Sequence, residues 1–262
     1  MKYIATISGG KDSVTMCDLL LKNGYPVDYI VFNDTLNEFD EMYQYLDKVE
    51  DYFKNRYGKE ITRTTPTWTY DEYILGKRTR GKREGVTRGL PTAGDGFCRW
   101  RSNSKIEAFD KWVKNEKIND YKLYIGITLD ETHRANREDK HFLYPLIDNF
   151  KMREADCQEY LINQDMENPL YRHFSRTGCA NCHFQSDKDF FNIWKHYPKT
   201  WKHFVDYEEK VRQLDDVGEE GRYWFTNYRT CEDMENKFIK ADKQGSLFDF
   251  SDEPLKDCFC KI

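Results

Sequence analysis

The chain has 262 residues, with 41 Lys plus Arg against 46 Asp plus Glu, a net charge of −5. That balance excludes a uniformly basic nucleic-acid coat, and an aromatic share of 16% supplies core material that a disordered chain lacks. No run approaches the ~20 apolar residues of a membrane-spanning helix and no apolar leader opens the sequence, so it predicts a cytoplasmic protein without membrane contact.

Residues 3–7 form a β-branched run and read as a buried strand. The segment Ser8-Gly9-Gly10-Lys11-Asp12-Ser13 follows, and then apolar positions 14, 17, 20 and 21 fit one face of a helix. Gly24 and Pro26 stop that helix. Residues 27–33 read as a second strand, 37–57 as a helix and 60–64 as a third strand. Residues 76–96 break the pattern as a Gly-rich loop, in which Lys77, Arg78, Arg80, Lys82, Arg83 and Arg88 are basic. A helix over 104–114 and a strand over 122–127 come next. From about 186 the chain reads as helices rich in Trp, Tyr and Phe, their aromatics serving as core or partner surface. Strands alternating with helices predict an α/β domain with a Rossmann-like parallel sheet, helices on both faces, and a mainly helical C-terminal portion. The expected division is 1–185 for the nucleotide-binding domain, 186–240 for a helical extension and 241–262 for a mobile, Cys-containing tail.

The glycine segment sits between a strand and a helix, where an anion can be held. Gly9 and Gly10 permit positive φ and close backbone approach. The helix behind them aims its unpaired amides and dipole at the loop. Ser8 and Ser13 add hydroxyls, Lys11 adds a charge, and Asp12 either holds the loop or meets a Mg²⁺ that bridges phosphates. The spacing is neither that of a Walker loop nor that of the dinucleotide fingerprint.

Eight cysteines (Cys17, Cys98, Cys157, Cys179, Cys182, Cys231, Cys258 and Cys260) are expected as thiols. Cys179-Ala180-Asn181-Cys182 places two thiolates at metal-ligand spacing, which fits zinc, an iron–sulfur centre or a redox disulfide. His183 stands beside the pair as a further zinc ligand. Cys17 and Cys157 read as small core residues.

Ser8–Ser13 resembles the Ser-Gly-Gly-x-Asp-Ser signature of the PP-loop, or N-type ATP pyrophosphatase, superfamily. Four further segments keep the order of the phosphoadenosine phosphosulfate (PAPS) reductase family. These are Asp34-Thr35 with Glu38-Phe39; Cys98-Arg99 with Lys105; Gly126-Ile127 with Asp130-Glu131-Thr132 and Arg134; and Asn168-Pro169-Leu170-Tyr171 with Gly178-Cys179 and Cys182. The resemblance covers residues 3 to about 185. It implies a sheet that binds an adenine nucleotide at the carboxyl ends of its strands. Ser8, Gly9, Gly10, Lys11, Asp12, Ser13 and Gly126 would then meet phosphates, Asn33, Asp34 and Thr35 the adenosine, and Lys105 and Arg134 a phosphate or sulfate.

Two departures shape the functional expectation. The loop is intact, which resembles relatives that split ATP between its α and β phosphates. The chain also lacks the Glu-Cys-Gly-Leu/Ile-His ending of the thioredoxin-dependent reductases and closes on Cys258-Phe259-Cys260 instead. The sequence therefore favours ATP-dependent adenylation with sulfur transfer, using ATP and Mg²⁺. Reduction of PAPS or adenylyl sulfate (APS), with Cys258 or Cys260 as nucleophile, is the alternative, and a non-catalytic nucleotide-binding subunit is a third reading. The resemblance adds Cys98 to the Cys179–Cys182 pair as ligands of a [4Fe–4S] cluster, with Cys231 or Cys157 as fourth ligand or an open iron site; zinc and unliganded thiols remain the alternatives. A sulfur donor or reductant protein is the implied partner. The 77–88 basic loop either closes over ATP or meets nucleic-acid phosphates, and a homodimer is compatible with the sequence.

Overall fold

The computed structural model describes residues 1–79, 81–91, 98–136, 138–214 and 229–244. The alternation expected from sequence is present. β1 (Lys2–Ile7) leads through the glycine segment into α1 (Lys11–Lys22), and β2 (Tyr29–Asn33) leads into α2 (Asp40–Tyr57). Gly58 closes α2 in the left-handed conformation, and β3 (Ile61–Thr64) follows. α3 (Tyr70–Leu75) starts on a capping box of Thr69 and Glu72. α4 (Arg99–Arg101) runs through a π-turn, Ser102–Ile106, into α5 (Glu107–Asn115). β4 (Tyr121–Tyr124), β5 (Phe142–Leu143), α6 (Pro145–Asp148) and α7 (Glu154–Asn163) come next. α8 (Asp187–His196), α9 (Pro198–Arg212) and α10 (Cys231–Gln244) end the described chain.

The five strands are parallel and ordered β3-β2-β1-β4-β5. The order runs outward in opposite directions from β1 and β4, so the switch point of the sheet lies between these two strands. Open α/β sheets bind ligands at the carboxyl ends of the strands at such a point. Both faces are covered, as period-2 alternation requires of a parallel sheet. Ile4, Val31 and Leu123 pack with Phe109 of α5 and with Tyr144 and Ile147. Ala5 and Ile7 alternate with Ile4 and are also buried, as are Val14, Met16 and Leu20 of α1 and Met42, Leu46 and Phe53 of α2.

Several boundaries differ from the sequence reading for local reasons. The strand expected over 122–127 ends at Tyr124: Ile125 N–H still donates to Leu143 O at 2.9 Å, and Ile127 N–H then turns back to Ile125 O at 2.9 Å. Residues 77–79 and 81–88, expected as part of a long loop, fold back as a short hairpin with Lys77 opposite Thr87. α10 continues to Gln244, past the point where the tail was expected to start. Cys17 and Cys157 are fully buried, as expected of core residues.

The chain divides into two compact units. Residues 1–66 and 104–177 build the first, which holds the sheet. The described residues of 67–103 join those of 178–244 in the second. There, aromatic contacts among Phe191, Trp194, Trp201, Phe204 and Phe238 tie α8, α9 and α10 together. Asp187 accepts two hydrogen bonds from Arg229, at 2.7 and 2.9 Å, and one from Lys237 at 3.0 Å.

Within the first unit, Asp18 of α1 is fully buried. Tyr57 of α2 donates to its Oδ1 at 2.8 Å, and Tyr160 of α7 donates to its Oδ2. Two tyrosines from two helices thus satisfy one buried carboxylate and fix α1 between α2 and α7. Removing a donor leaves part of that charge unsatisfied, and hydrogen bonds to charged groups are worth about 1.5–3 kcal/mol. Tyr160→Phe should therefore lower the unfolding free energy by about 2 kcal/mol in urea titration, whereas a change near zero would show that the tyrosines of α2, Tyr57 and Tyr52, satisfy Asp18 without it.

Candidate functional site

The loop from Ser8 to Ser13 leaves the carboxyl end of β1 and ends inside the first turn of α1. Its shape is held by its own hydroxyls. Ser8 N–H donates to Ser13 Oγ at 3.0 Å, and Ser13 Oγ donates to Gly10 O at 3.0 Å. Ser8 Oγ lies 3.2 Å from Ser13 Oγ. Gly9 sits at φ +72°, a conformation that favours glycine, and a Cβ there would stand 2.2 Å from Met42 Sδ and displace that side chain. Asn168 Nδ2 donates to Gly9 O at 2.8 Å, and Lys11 N–H donates to the Tyr171 hydroxyl at 2.9 Å. The segment 168–171 thereby clamps the loop from behind.

The side chains around the loop alternate in charge. Lys11 Nζ lies 2.9 Å from Glu154 Oε2 and 5.1 Å from the centre of the Tyr171 ring. Burial alone would lower its pKa, but Tyr171, Glu154 and Asp12 outweigh burial and raise it, so Lys11 stays a cation. Arg134 pairs with Glu131, and both are largely buried. Asp12, Glu131 and Glu154 bring carboxylate oxygens within 4.8 Å of one another. Three hard oxygen donors flanked by Lys11 and Arg134 suit a divalent cation that also touches phosphate. Of the three, sequence reasoning singled out only Asp12. Glu131 lay inside a quoted motif without a role, and Glu154 had no signal, because α7 reaches the loop only through the fold.

Gly126 follows β4 across the switch point. A Cβ on it would stand 2.7 Å from Ser13 Cα and 2.9 Å from Ser13 N. The start of α1 therefore rests on a bare backbone.

At the end of β2 the expected adenosine residues are engaged. Thr64 Oγ1 donates to Asn33 Oδ1 at 2.7 Å, which joins β2 to β3. Asp34 Oδ1 accepts from Leu36 N–H at 2.8 Å and from the Tyr43 hydroxyl at 2.9 Å. Thr35 donates to Glu38 Oε1 at 2.7 Å. Leu36 sits at φ +53°, in the left-handed region that favours glycine. This is a strained, exposed turn beside the switch point, of the kind that clusters at ligand sites. Lys105 is half-buried in the π-turn before α5.

Among the described residues, Cys98, Cys179, Cys182 and Cys231 belong to the second unit, and Cys17 and Cys157 to the first. Cys98, Cys179 and Cys182 all act electrostatically on the buried Tyr70 hydroxyl, whose pKa is raised by burial first and by these thiols and Tyr207 second. Tyr70 packs edge-on against Trp100 and Tyr207 at 5.4 and 5.2 Å, and its hydroxyl has no hydrogen-bond partner among the described residues. Its hydroxyl is thus a buried donor with no acceptor among the described residues, within electrostatic reach of the three thiols. Cys98 also accepts from Arg101 N–H at 3.3 Å. Cys231 has other company: its amide donates to Glu208 Oε2 at 2.8 Å, and burial followed by Glu208 raises its thiol pKa. Cys157 belongs to the first unit, where its carbonyl accepts from Thr15. His183 is buried and its pKa pulled down to about 3, so its imidazole is neutral at physiological pH. Cys258, Cys260 and Arg80 lie outside the described residues.

Residues 2–76 match the family model of the phosphoadenosine phosphosulfate reductase domain. An uncharacterized protein of Methanocaldococcus jannaschii is 26% identical over 227 residues, covering 82% of this chain and 43% of that protein. The chain thus spans less than half the length of that relative. The crystal structure of a phosphoadenylyl-sulfate reductase from Candida auris, in complex with phosphate, aligns with a TM-score of 0.47 at 16% identity, covering 68% of this chain and 81% of that one. No helix among the described residues is long and apolar enough to cross a membrane.

The contact at Gly126 makes a sharp prediction. Gly126→Ala forces a methyl into the backbone at Ser13, and overpacking of this kind costs about 1–3 kcal/mol. Urea unfolding should show that loss, and an unchanged midpoint would mean that the loop gives way freely.

Proposed function

We propose that this chain, which carries a phosphoadenosine phosphosulfate reductase-type domain over residues 2–76, cleaves ATP to AMP and pyrophosphate to adenylate a substrate and supports sulfur transfer. The observation that carries the reading is the intact Ser8–Ser13 loop, folded as an anion cradle at the start of α1 beside Lys11, Arg134 and three carboxylates. A PP-loop enzyme that uses a nucleotide is the coarser statement, and the family match supports it directly.

In this reading a substrate oxygen attacks the α-phosphorus of ATP. The bond to the α–β bridging oxygen breaks, and pyrophosphate leaves with its electron pair. Ser8, Ser13, Lys11 and the α1 dipole stabilise the charge that gathers on the leaving group. Arg134 and Lys105 orient the remaining phosphate, and Asn33, Asp34 and Thr35 line the adenosine side. A sulfur donor then attacks the activated carbon and AMP departs with the carbon–oxygen electron pair. Asp12, Glu131 and Glu154 would hold Mg²⁺, which when bound neutralises phosphate charge. Cys98, Cys179 and Cys182 would hold a [4Fe–4S] cluster, or zinc, with Tyr70 as a donor to it; Cys231, bonded to Glu208, is the weaker choice for a fourth ligand.

The description of the matching family favours a second reading, in which Cys258 or Cys260 attacks the sulfur of PAPS or APS. The sulfur–oxygen bond then breaks, the nucleotide leaves, and a thiol of a reductant protein releases sulfite with formation of a disulfide.

Product analysis with α-labelled ATP and Mg²⁺ separates the readings. The proposal expects AMP and pyrophosphate, falling at least tenfold in Ser13→Ala. ADP as product would overturn it. Sulfite release from PAPS or APS with a thiol reductant would select the second reading, and ATP binding without turnover would point to a subunit that needs a partner.

A further inference from the structure

The turn after β2 carries costs that its packing does not offset. The first is the backbone of Leu36, at φ +53°. Glycine adopts that conformation freely, and asparagine tolerates it through a local side-chain hydrogen bond. Leucine has neither escape. Its side chain also stays 46% exposed, whereas Asp34 and Thr35 before it are buried. Leu36 therefore recovers only part of the burial that an apolar side chain can gain. The second cost lies beside it. Asn37 Nδ2 is buried without a hydrogen-bond partner among the described residues.

The turn is nonetheless pinned on several sides. Asp34 N–H donates to Thr64 O of β3 at 2.9 Å. Asp34 Oδ1 accepts from Leu36 N–H at 2.8 Å and from the Tyr43 hydroxyl of α2 at 2.9 Å. Thr35 Oγ1 donates to Glu38 Oε1 at 2.7 Å. Strain that the surroundings hold in place in this way clusters at ligand clamps. The register of the sheet gives the position. Ile7 pairs with Phe32, so β1 and β2 end side by side, about 4.8 Å apart, and the turn leaves next to the start of the Ser8–Ser13 loop. Nucleotides on sheets of this kind set their phosphates on the loop after the first strand and extend the nucleoside over the end of its neighbour. Leu36 is an exposed apolar side chain at that end.

We propose that Leu36 is an affinity-determining residue whose side chain packs against the face of the purine base of the nucleotide held by Ser8–Ser13. The base covers the exposed part of the leucine, and the strained turn keeps the side chain in place before the ligand arrives, which limits ordering on binding. Contact with an aromatic face is apolar and carries no donor or acceptor code. The residue therefore adds affinity for the base without selecting among purines. The inference rests on the reading of the loop as a nucleotide-phosphate cradle.

The test is calorimetric titration of the full chain in Mg²⁺ with two probes. One is α,β-methylene-ATP, which resists cleavage between the α and β phosphates; the other is inorganic tripolyphosphate, which has no base. Leu36→Gly should weaken binding of α,β-methylene-ATP about three- to tenfold, the scale of uncovering half a leucine. Binding of tripolyphosphate should not change. Glycine also relieves the backbone, so the melting temperature of the free protein should hold or rise while nucleotide affinity falls. Leu36→Met, which keeps an apolar side chain, should bind the nucleotide within about twofold of the parent chain. Unchanged nucleotide affinity in Leu36→Gly would overturn the inference. So would an equal loss for both probes, which would mark Leu36 as a support of the loop. The two readings fail differently. If tripolyphosphate binds the parent chain and the nucleotide binds no tighter, the phosphate cradle stands and the role of Leu36 falls. If neither probe binds, the cradle falls and Leu36 with it.

Discussion

The first unit depends on how closely the start of α1 is seated against the sheet. Gly126 lets the backbone after β4 touch the backbone at Ser13, and Gly9 lets the turn after β1 pass Met42. These two approaches place a helix N-terminus at the switch point of a parallel sheet, where amides, dipole and loop hydroxyls converge. The other contacts serve that seat. Tyr171 and Asn168 clamp the loop, and Asp18 with its two tyrosines holds the far side of the helix.

The charge pattern around the seat follows from the same geometry. Helix α7 brings Glu154 to Lys11, and the turn at Leu129–Arg134 brings Glu131 with Arg134. An anion cradle bordered by carboxylates would repel a bare polyphosphate. It suits a phosphate that arrives with a divalent cation, whose charge would offset the repulsion from Asp12, Glu131 and Glu154. Mutual pairing keeps the charged side chains oriented before any ligand enters, which limits reorganisation on binding.

The sheet and the loop were legible in the sequence because their signals are local. A β-branched run, a glycine-rich hexapeptide and a helical stripe each occupy consecutive residues, and β1, α1, β2, α2 and β3 followed from them. What was not legible arises from distance along the chain. Glu154 reaches Lys11 from 143 positions away in sequence, and no spacing announces it. Residues 67–103 join the helices beyond 178 in one unit, although neither segment is amphipathic in a way that names the other. The hairpin at 77–88 was hidden because its strands are too short to show alternation, and only its glycines and charges stood out. Cys98, Cys179 and Cys182 were grouped by motif resemblance, while the buried Tyr70 on which they act electrostatically carried no sequence signal.

The central claim is that Ser8–Ser13 at the start of α1 holds pyrophosphate. Amide hydrogen exchange, followed with and without pyrophosphate and Mg²⁺, tests it most directly. The account predicts new protection over residues 8–14 and around Gly126 and Arg134, with the amides of the second unit unchanged at pyrophosphate concentrations that saturate the loop. Protection absent from the loop under those conditions would contradict it.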